Sequence, residues 1–88
     1  MANKRALKKN INYVLGDIID AVYDWEYINP SKDTKKTEAV IDDAIAVFDD
    51  LIAQVNAKDI DNKKLHFKAI SAQLESKGRE LVERINNL

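Results

Sequence analysis

The sequence predicts an all-α fold, a three-helix antiparallel (up-down-up) bundle with helices over about residues 4–28, 31–56 and 61–87. Apolar residues recur at intervals of three and four along three stretches, and no stretch alternates apolar and polar residues as a half-buried strand does. Two segments rich in capping and turn residues, 29–31 and 56–62, separate these stretches. The 88 residues suit a single helical-bundle domain spanning 1–88.

The first stretch has apolar residues at an average spacing of about 3.6, the period of an α-helix. The predicted buried face consists of Leu7, Ile11, Val14, Ile18, Val22 and Trp25. The acidic residues Asp17, Asp20 and Asp24 fall on the opposite side. This stretch is therefore predicted to be an amphipathic helix.

The second stretch has two possible starts. Asn29 could cap a helix with Pro30 at its first position, or Asp33 or Thr34 could cap a shorter helix. We expect the helix to end near Asn56. Its predicted buried face comprises Ile41, Ala44, Ile45, Phe48, Leu51, Ile52 and Val55, widened by Val40 and Val47.

The third stretch follows Asp59 or Asp61, either of which can cap a helix. Its predicted face contains Phe67, Ile70, Leu74, Leu81, Ile85 and Leu88. Leu65 points away from this face, whereas Gly78 lies on it. Since a glycine inside a helix costs about 1 kcal/mol relative to alanine, we expect Gly78 to make space for the bulky Trp25. Short connections between the helices favour antiparallel neighbours.

The composition argues against the common kinds of catalytic site, so we expect a protein that is not an enzyme. The chain has no cysteine and a single histidine, His66, and its two glycines cannot form a phosphate-binding loop. We therefore expect no cofactor and no metal. The basic start is not followed by an apolar segment, and no apolar run approaches the length of a bilayer span. We expect a cytoplasmic protein with no membrane partner.

The charges are distributed in blocks, although the net charge is only −1. Residues 1–12 carry four basic residues and no acidic one, and residues 13–27 carry four acidic residues and no basic one. In an up-down-up bundle the starts of the first and third helices lie at one end, which brings together a basic pole of Lys4, Arg5, Lys8, Lys9, Lys63 and Lys64. Such a pole could bind phosphate or nucleic acid weakly. The acidic pI of 5.8 and the absence of aromatic residues among the lysines favour other functions.

Two further groups of residues could form a protein-protein interface. The first helix has apolar residues outside its predicted core face: Tyr13, Gly16, Ile19, Tyr23 and Tyr27. On the second helix Ala39, Ala46 and Ala53 recur every seven residues and form a smooth strip. Tyrosine is common in interfaces, but it also tolerates partial exposure, and alanine is simply the best helix former. The preferred hypothesis is a protein that acts by protein-protein contact, as a homodimer or with another protein.

The two ends of the chain carry a resemblance. The opening Asn3-Lys4-Arg5-x-Leu7-Lys8-Lys9-x-Ile11-Asn12 and the ending Arg84-Ile85-Asn86 resemble those of small uncharacterised bacterial all-helical proteins. The resemblance spans the whole chain. It implies an all-helical fold, and it implies no activity and no functional residues.

Overall fold

A computed structural model describes residues 3–30 and 34–88 and contains three helices: α1 (Lys4–Ile28), α2 (Lys35–Val55) and α3 (Lys63–Asn86). Every helix packs against the other two in a bundle of 49 × 20 × 18 Å. Lys4, Val55 and Lys63 border one pocket, so α2 ends where α1 and α3 begin. The predicted up-down-up bundle is confirmed. None of the helices, within the described residues, has the length and apolar character to cross a membrane.

Helix α1 has the bounds that the sequence predicts, because asparagines close both of its ends. The side chain of Asn3 accepts a hydrogen bond from the backbone N–H of Ala6 at 2.7 Å. At the other end the N–H of Asn29 donates to the carbonyl of Trp25 at 2.9 Å, and Pro30 follows. Proline has no N–H to continue the helix, so α1 ends here.

Helix α2 has the shorter of the two predicted forms. Thr34 is the N-cap of α2 and is not helical, so a helix that includes Thr34, as the predicted start at residue 31 requires, is wrong. Residues 31–33, among them the alternative cap Asp33, lie outside the described part of the chain. The Thr34 carbonyl accepts hydrogen bonds from the backbone N–H of Glu38 at 2.8 Å and from the hydroxyl of Thr37 at 2.9 Å. These bonds close the first turn of α2 at this position. The helix ends at Val55, one residue before the predicted end.

Helix α3 begins at Lys63 rather than at the predicted residue 61, and it ends at Asn86 rather than at residue 87. The predicted caps, Asp59 and Asp61, are wrong. Asn62 has extended backbone, and its side chain accepts a hydrogen bond from the N–H of Leu65 at 3.1 Å. Asp59 instead adopts a left-handed conformation with φ 61°, which short polar residues tolerate in turns. The turn between α2 and α3 therefore uses Asp59, which leaves Asn62 to cap the helix.

The core lies along the axis of the bundle. Its buried apolar side chains are Leu7, Ile11, Leu15, Ile18, Val22, Val40, Ala44, Leu51, Val55, Ile70, Leu74 and Leu81. Leu65 is exposed, as predicted, but Val14 and Ile45 are 37% and 47% exposed, so their predicted place in the core is wrong. Leu15, which is not on the predicted face of α1, is buried instead. Helix α1 packs against both α2 and α3, so its buried face points between these two helices. This direction differs from the centre of the apolar stripe that the sequence spacing predicts.

The caps of α3 allow a direct test. Replacing Asn62 with alanine removes the side-chain oxygen that accepts the Leu65 N–H, so Asn62→Ala should lower the free energy of unfolding by about 1 kcal/mol. The matched control Asp61→Ala removes a residue without a capping bond and should change it by less than about 0.5 kcal/mol. Urea unfolding followed by circular dichroism measures both. A larger loss for Asp61→Ala than for Asn62→Ala would contradict this capping assignment.

Candidate protein-protein interface

Helix α1 carries large apolar side chains on the side that faces away from the bundle. Tyr13, Tyr23 and Tyr27 are 60%, 55% and 87% exposed. At about 100° per residue, Lys9, Tyr13, Gly16, Asp20 and Tyr27 fall within an arc of roughly 60°, opposite the buried face of α1. We call these five residues and Tyr23 the outer face of α1. Two exposed tyrosines within one narrow arc, with a third beside it, form a surface on which another helix could pack.

The structure separates the two groups of predicted interface residues. Tyr13, Tyr23 and Tyr27 are exposed on α1, while Gly16 and Ile19 are half-buried, and Ile19 packs against the core instead of facing outward. Ala39, Ala46 and Ala53 are all exposed on α2. Ala39 and Ala46 border grooves between α2 and α3, whereas Tyr13 borders the groove between α1 and α3. The tyrosines and the alanine strip are therefore two separate surfaces.

Gly16 and Gly78 have different surroundings. A Cβ atom built on Gly16 would meet no atom within 4 Å, so no neighbour inside the chain requires a glycine there. A Cβ atom on Gly78 would lie 3.3 Å from Cγ1 of Val14 and 3.8 Å from Cδ1 of Ile18. Gly78 therefore has a packing role, but Gly16 occupies the middle of α1 without one, at a cost of about 1 kcal/mol relative to alanine.

The predicted packing of Trp25 over Gly78 is wrong. Trp25 is half-buried and contributes no atom within 4 Å of the position of a Gly78 Cβ. The position of Gly78 along the bundle axis, relative to α1, explains why Trp25 does not contact it. Gly78 lies fifteen residues after the start of α3 at Lys63, and the same count from Lys4 reaches Ile19, next to Ile18. Because α3 begins two residues later than expected, Gly78 lies about 3 Å nearer the start of the bundle.

A groove between α1 and α3 was not predicted from the sequence. It has a volume of about 610 Å³, and its apolar lining includes Tyr13, Val14, Ile18, Leu74 and Val82, with Gly78 between them. The signal that could have located it is Gly78 itself, since a glycine on a core stripe indicates close approach of a neighbouring helix. The groove continues the apolar surface of α1 at Tyr13.

The basic pole is brought together only in part. Lys4, Lys58 and Lys63 border one pocket of about 410 Å³ that also contacts His66. Lys64 and Arg5 are exposed and Lys8 is half-buried. Lys9 lies beside Tyr13 instead, with its Nζ 6.0 Å from the centroid of the tyrosine ring.

His66 joins α2 to α3. Its Nε2 lies 2.6 Å from the carbonyl oxygen of Gln54. Because a carbonyl can only accept, Nε2 carries the proton and donates it. The side chains of Gln54 and Gln73 also exchange two hydrogen bonds, at 3.0 and 2.9 Å. Farther along the same pair of helices, Arg84 forms an ion pair with Asp43.

No group of three or more His, Asp or Glu side chains is placed to hold a metal ion within residues 3–30 and 34–88. Comparison with protein-family models, with curated proteins and with solved structures finds no match to this chain. The resemblance to bacterial all-helical proteins stays a prediction. The function proposed below rests on the geometry of α1.

The contact between Gly78 and Val14 can be tested by a double-mutant cycle. Gly78→Ala gains helix propensity but pushes its new methyl group against Val14. In the Val14→Ala background that contact is absent, so Gly78→Ala should stabilise the protein by about 1 kcal/mol, and by less in the wild type. Gly78→Leu should cost about 1–3 kcal/mol because the groove floor cannot accept it. Denaturation midpoints at one fixed protein concentration measure these effects. Equal effects of Gly78→Ala in both backgrounds would exclude the contact.

Proposed function

We propose that this protein has no enzymatic activity and acts through protein-protein contact, as a homodimer formed by the outer face of α1. The observation that carries the proposal is the exposure of Tyr13, Tyr23 and Tyr27 on that face, which also carries Gly16. Tyrosine side chains supply large contact area at low entropic cost, which suits them to interfaces. A partner over this face would remove apolar surface from water.

Gly16 supports the same proposal. Its cost to the helix is not explained by a neighbour within the described part of the chain, since a Cβ atom there would meet open space. A glycine on a helix surface allows the backbone of another helix, or a large side chain from it, to approach closely. A second chain at Gly16 would explain why a glycine occupies this position.

The non-catalytic part of the proposal is supported by His66, the single histidine of the chain. Its Nε2–H donates to the Gln54 carbonyl, and its ring lies 5.8 Å from the ring of Phe67. These contacts fix the tautomer and the position of the ring between α2 and α3. They are the contacts of a residue that stabilises helix packing.

A second candidate function is weak binding of phosphate or nucleic acid at the basic pole. The observation that favours it is the pocket bordered by Lys4, Lys58 and Lys63, since three cationic side chains around one depression attract phosphate. Asp59 also lines the pocket and partly offsets its charge. We therefore place this candidate second.

The homodimer can be tested by sedimentation equilibrium at micromolar concentration. The wild-type protein should sediment as a species of about twice the 10.0 kDa chain mass. Tyr13→Ala should weaken the dimer about tenfold or more, because large aromatic side chains carry much of the energy of an interface. The matched control is Leu65→Ala on α3, where the removed side chain is 61% exposed. A wild-type protein that is monomeric throughout this range would contradict the proposal.

The second candidate predicts salt-dependent binding to labelled DNA or RNA in a fluorescence anisotropy titration. The charge reversal Lys63→Glu/Lys64→Glu should abolish that binding, and both residues lie on α3, outside the outer face of α1. Lys77→Glu, later on α3, is the matched control and should leave it unchanged. Binding that is insensitive to salt, or that survives the double reversal, would exclude the basic pole.

A further inference from the structure

The charges of α1 are arranged unfavourably for a helix on its own. All four of its basic residues lie in its first two turns and all four acidic ones lie in its second half. The first turn contains no acidic residue and the last turn contains no basic one. Basic side chains near a helix N-terminus and acidic ones near its C-terminus both oppose the helix dipole. The neighbours Asp20 and Asp24, four residues apart, also repel each other.

No ion pair within the described residues joins these charges to the other helices. The ion pairs Lys77–Glu80, Arg79–Glu75 and Arg84–Asp43 join described residues, and none of them includes a residue of α1. The eight charged side chains of α1 therefore have no ion pair inside the described part of the chain. They form two separate blocks of opposite sign along one helix.

A second copy of α1 is complementary to this pattern in one orientation. Laid antiparallel, it places its acidic half beside the basic start of the first copy, and its basic start beside the acidic half. Antiparallel helix dipoles also attract. A parallel copy would instead place basic beside basic and acidic beside acidic. The charge pattern is thus self-complementary under a twofold rotation, the symmetry of most homodimers.

We propose that two copies pair antiparallel through the outer face of α1. They are related by a twofold axis that crosses the interface at the level midway between residues 14 and 15 along the helix. The proposal rests on the homodimer proposed above and specifies its partner, orientation and register. In this register, a residue of one copy lies at the same level as the residue of the other copy whose number, added to its own, gives 29. Lys9 then faces Asp20 of the second copy. Tyr13 faces Gly16, where the missing Cβ leaves room for the ring.

The alanine strip of α2 does not offer an equivalent pairing. Ala39, Ala46 and Ala53 are flanked by acidic residues on both sides of the strip: Asp42, Asp43, Asp49 and Asp50. An antiparallel copy centred on Ala46 would place Asp42 against Asp50 and Asp43 against Asp49. Asp42 and Asp50 would repel each other in this arrangement, whereas Asp43 is paired with Arg84 of its own chain. The outer face of α1 is therefore the better surface for a second copy.

The first experiment reverses the charges at one facing pair. Lys9→Glu or Asp20→Lys alone should weaken the dimer about tenfold at low salt, because the twofold axis repeats each change in two pairs. The double variant Lys9→Glu/Asp20→Lys exchanges the signs and should restore dissociation to within about threefold of the wild type. Lys68→Glu, an exposed residue on α3, is the control for net charge. Sedimentation equilibrium in low and high salt measures all four variants.

The second experiment measures orientation without relying on affinity. The natural chain has no cysteine, so single cysteines form only the cross-links that are introduced. An equimolar mixture of Lys9→Cys and Asp20→Cys should form a mixed disulfide on mild oxidation. Lys9→Cys alone should form little disulfide, because the two copies of residue 9 would be about 16 Å apart along the helices. A disulfide requires Cα atoms within about 7 Å of each other.

The outcomes distinguish the two proposals. A monomeric wild-type protein would overturn both the homodimer and the antiparallel pairing. A wild-type dimer that is unaffected by Lys9→Glu and Asp20→Lys, or that the double variant fails to restore, would overturn the pairing alone. Efficient cross-linking of Lys9→Cys to itself would also overturn it, since the proposed register keeps the two copies of residue 9 about 16 Å apart. A mixed disulfide together with restored dimerisation would establish the antiparallel arrangement.

Discussion

The structure depends on burying one face of each of three helices in a single core. A domain of this length buries only about 60–65% of the surface of its unfolded chain, so each helix needs both neighbours. Ile11 and Val22 of α1, Leu51 of α2 and Ile70 of α3 are almost completely buried in this shared core. Because the core uses one face of α1, the opposite face is not covered by the rest of the described chain, and its side chains are free to serve another purpose.

The outer face of α1 combines three properties that packing within the bundle does not require. Tyr13 and Tyr27 are strongly exposed, Gly16 has no close neighbour, and the charged residues of α1 have no ion pairs within the described chain. Each property has a cost for an isolated chain, in exposed apolar surface, in helix propensity and in unfavourable interaction with the helix dipole. An antiparallel second copy in the proposed register would reduce these costs at Tyr13, at Gly16 and at the charged residues, whereas Tyr27 lies beyond the start of the partner's α1.

The sequence predicts the helices well because apolar spacing depends on the chain alone, and Asn29 and Pro30 interrupt the helical pattern where α1 ends. Details that depend on neighbouring helices are less predictable. Val14 shares the apolar stripe of α1, but the directions from which α2 and α3 pack leave Val14 37% exposed and bury Leu15. The level of Gly78 depends on which polar residue caps α3, and this shifts its contact from Trp25 to Ile18. The tyrosines could be identified from helical periodicity, whereas the groove beside Tyr13 required the packing of α3 on α1.

The contact between Tyr13 and Gly16 across the twofold axis tests the central claim most directly. A dimer assembled from isotope-labelled and unlabelled chains gives, in an isotope-filtered nuclear Overhauser experiment, only signals between the two copies. The antiparallel pairing predicts signals between the ring protons of Tyr13 in one copy and the α protons of Gly16 in the other. Intermolecular signals from the methyl groups of Ala39, Ala46 and Ala53, with none at Tyr13, would contradict it.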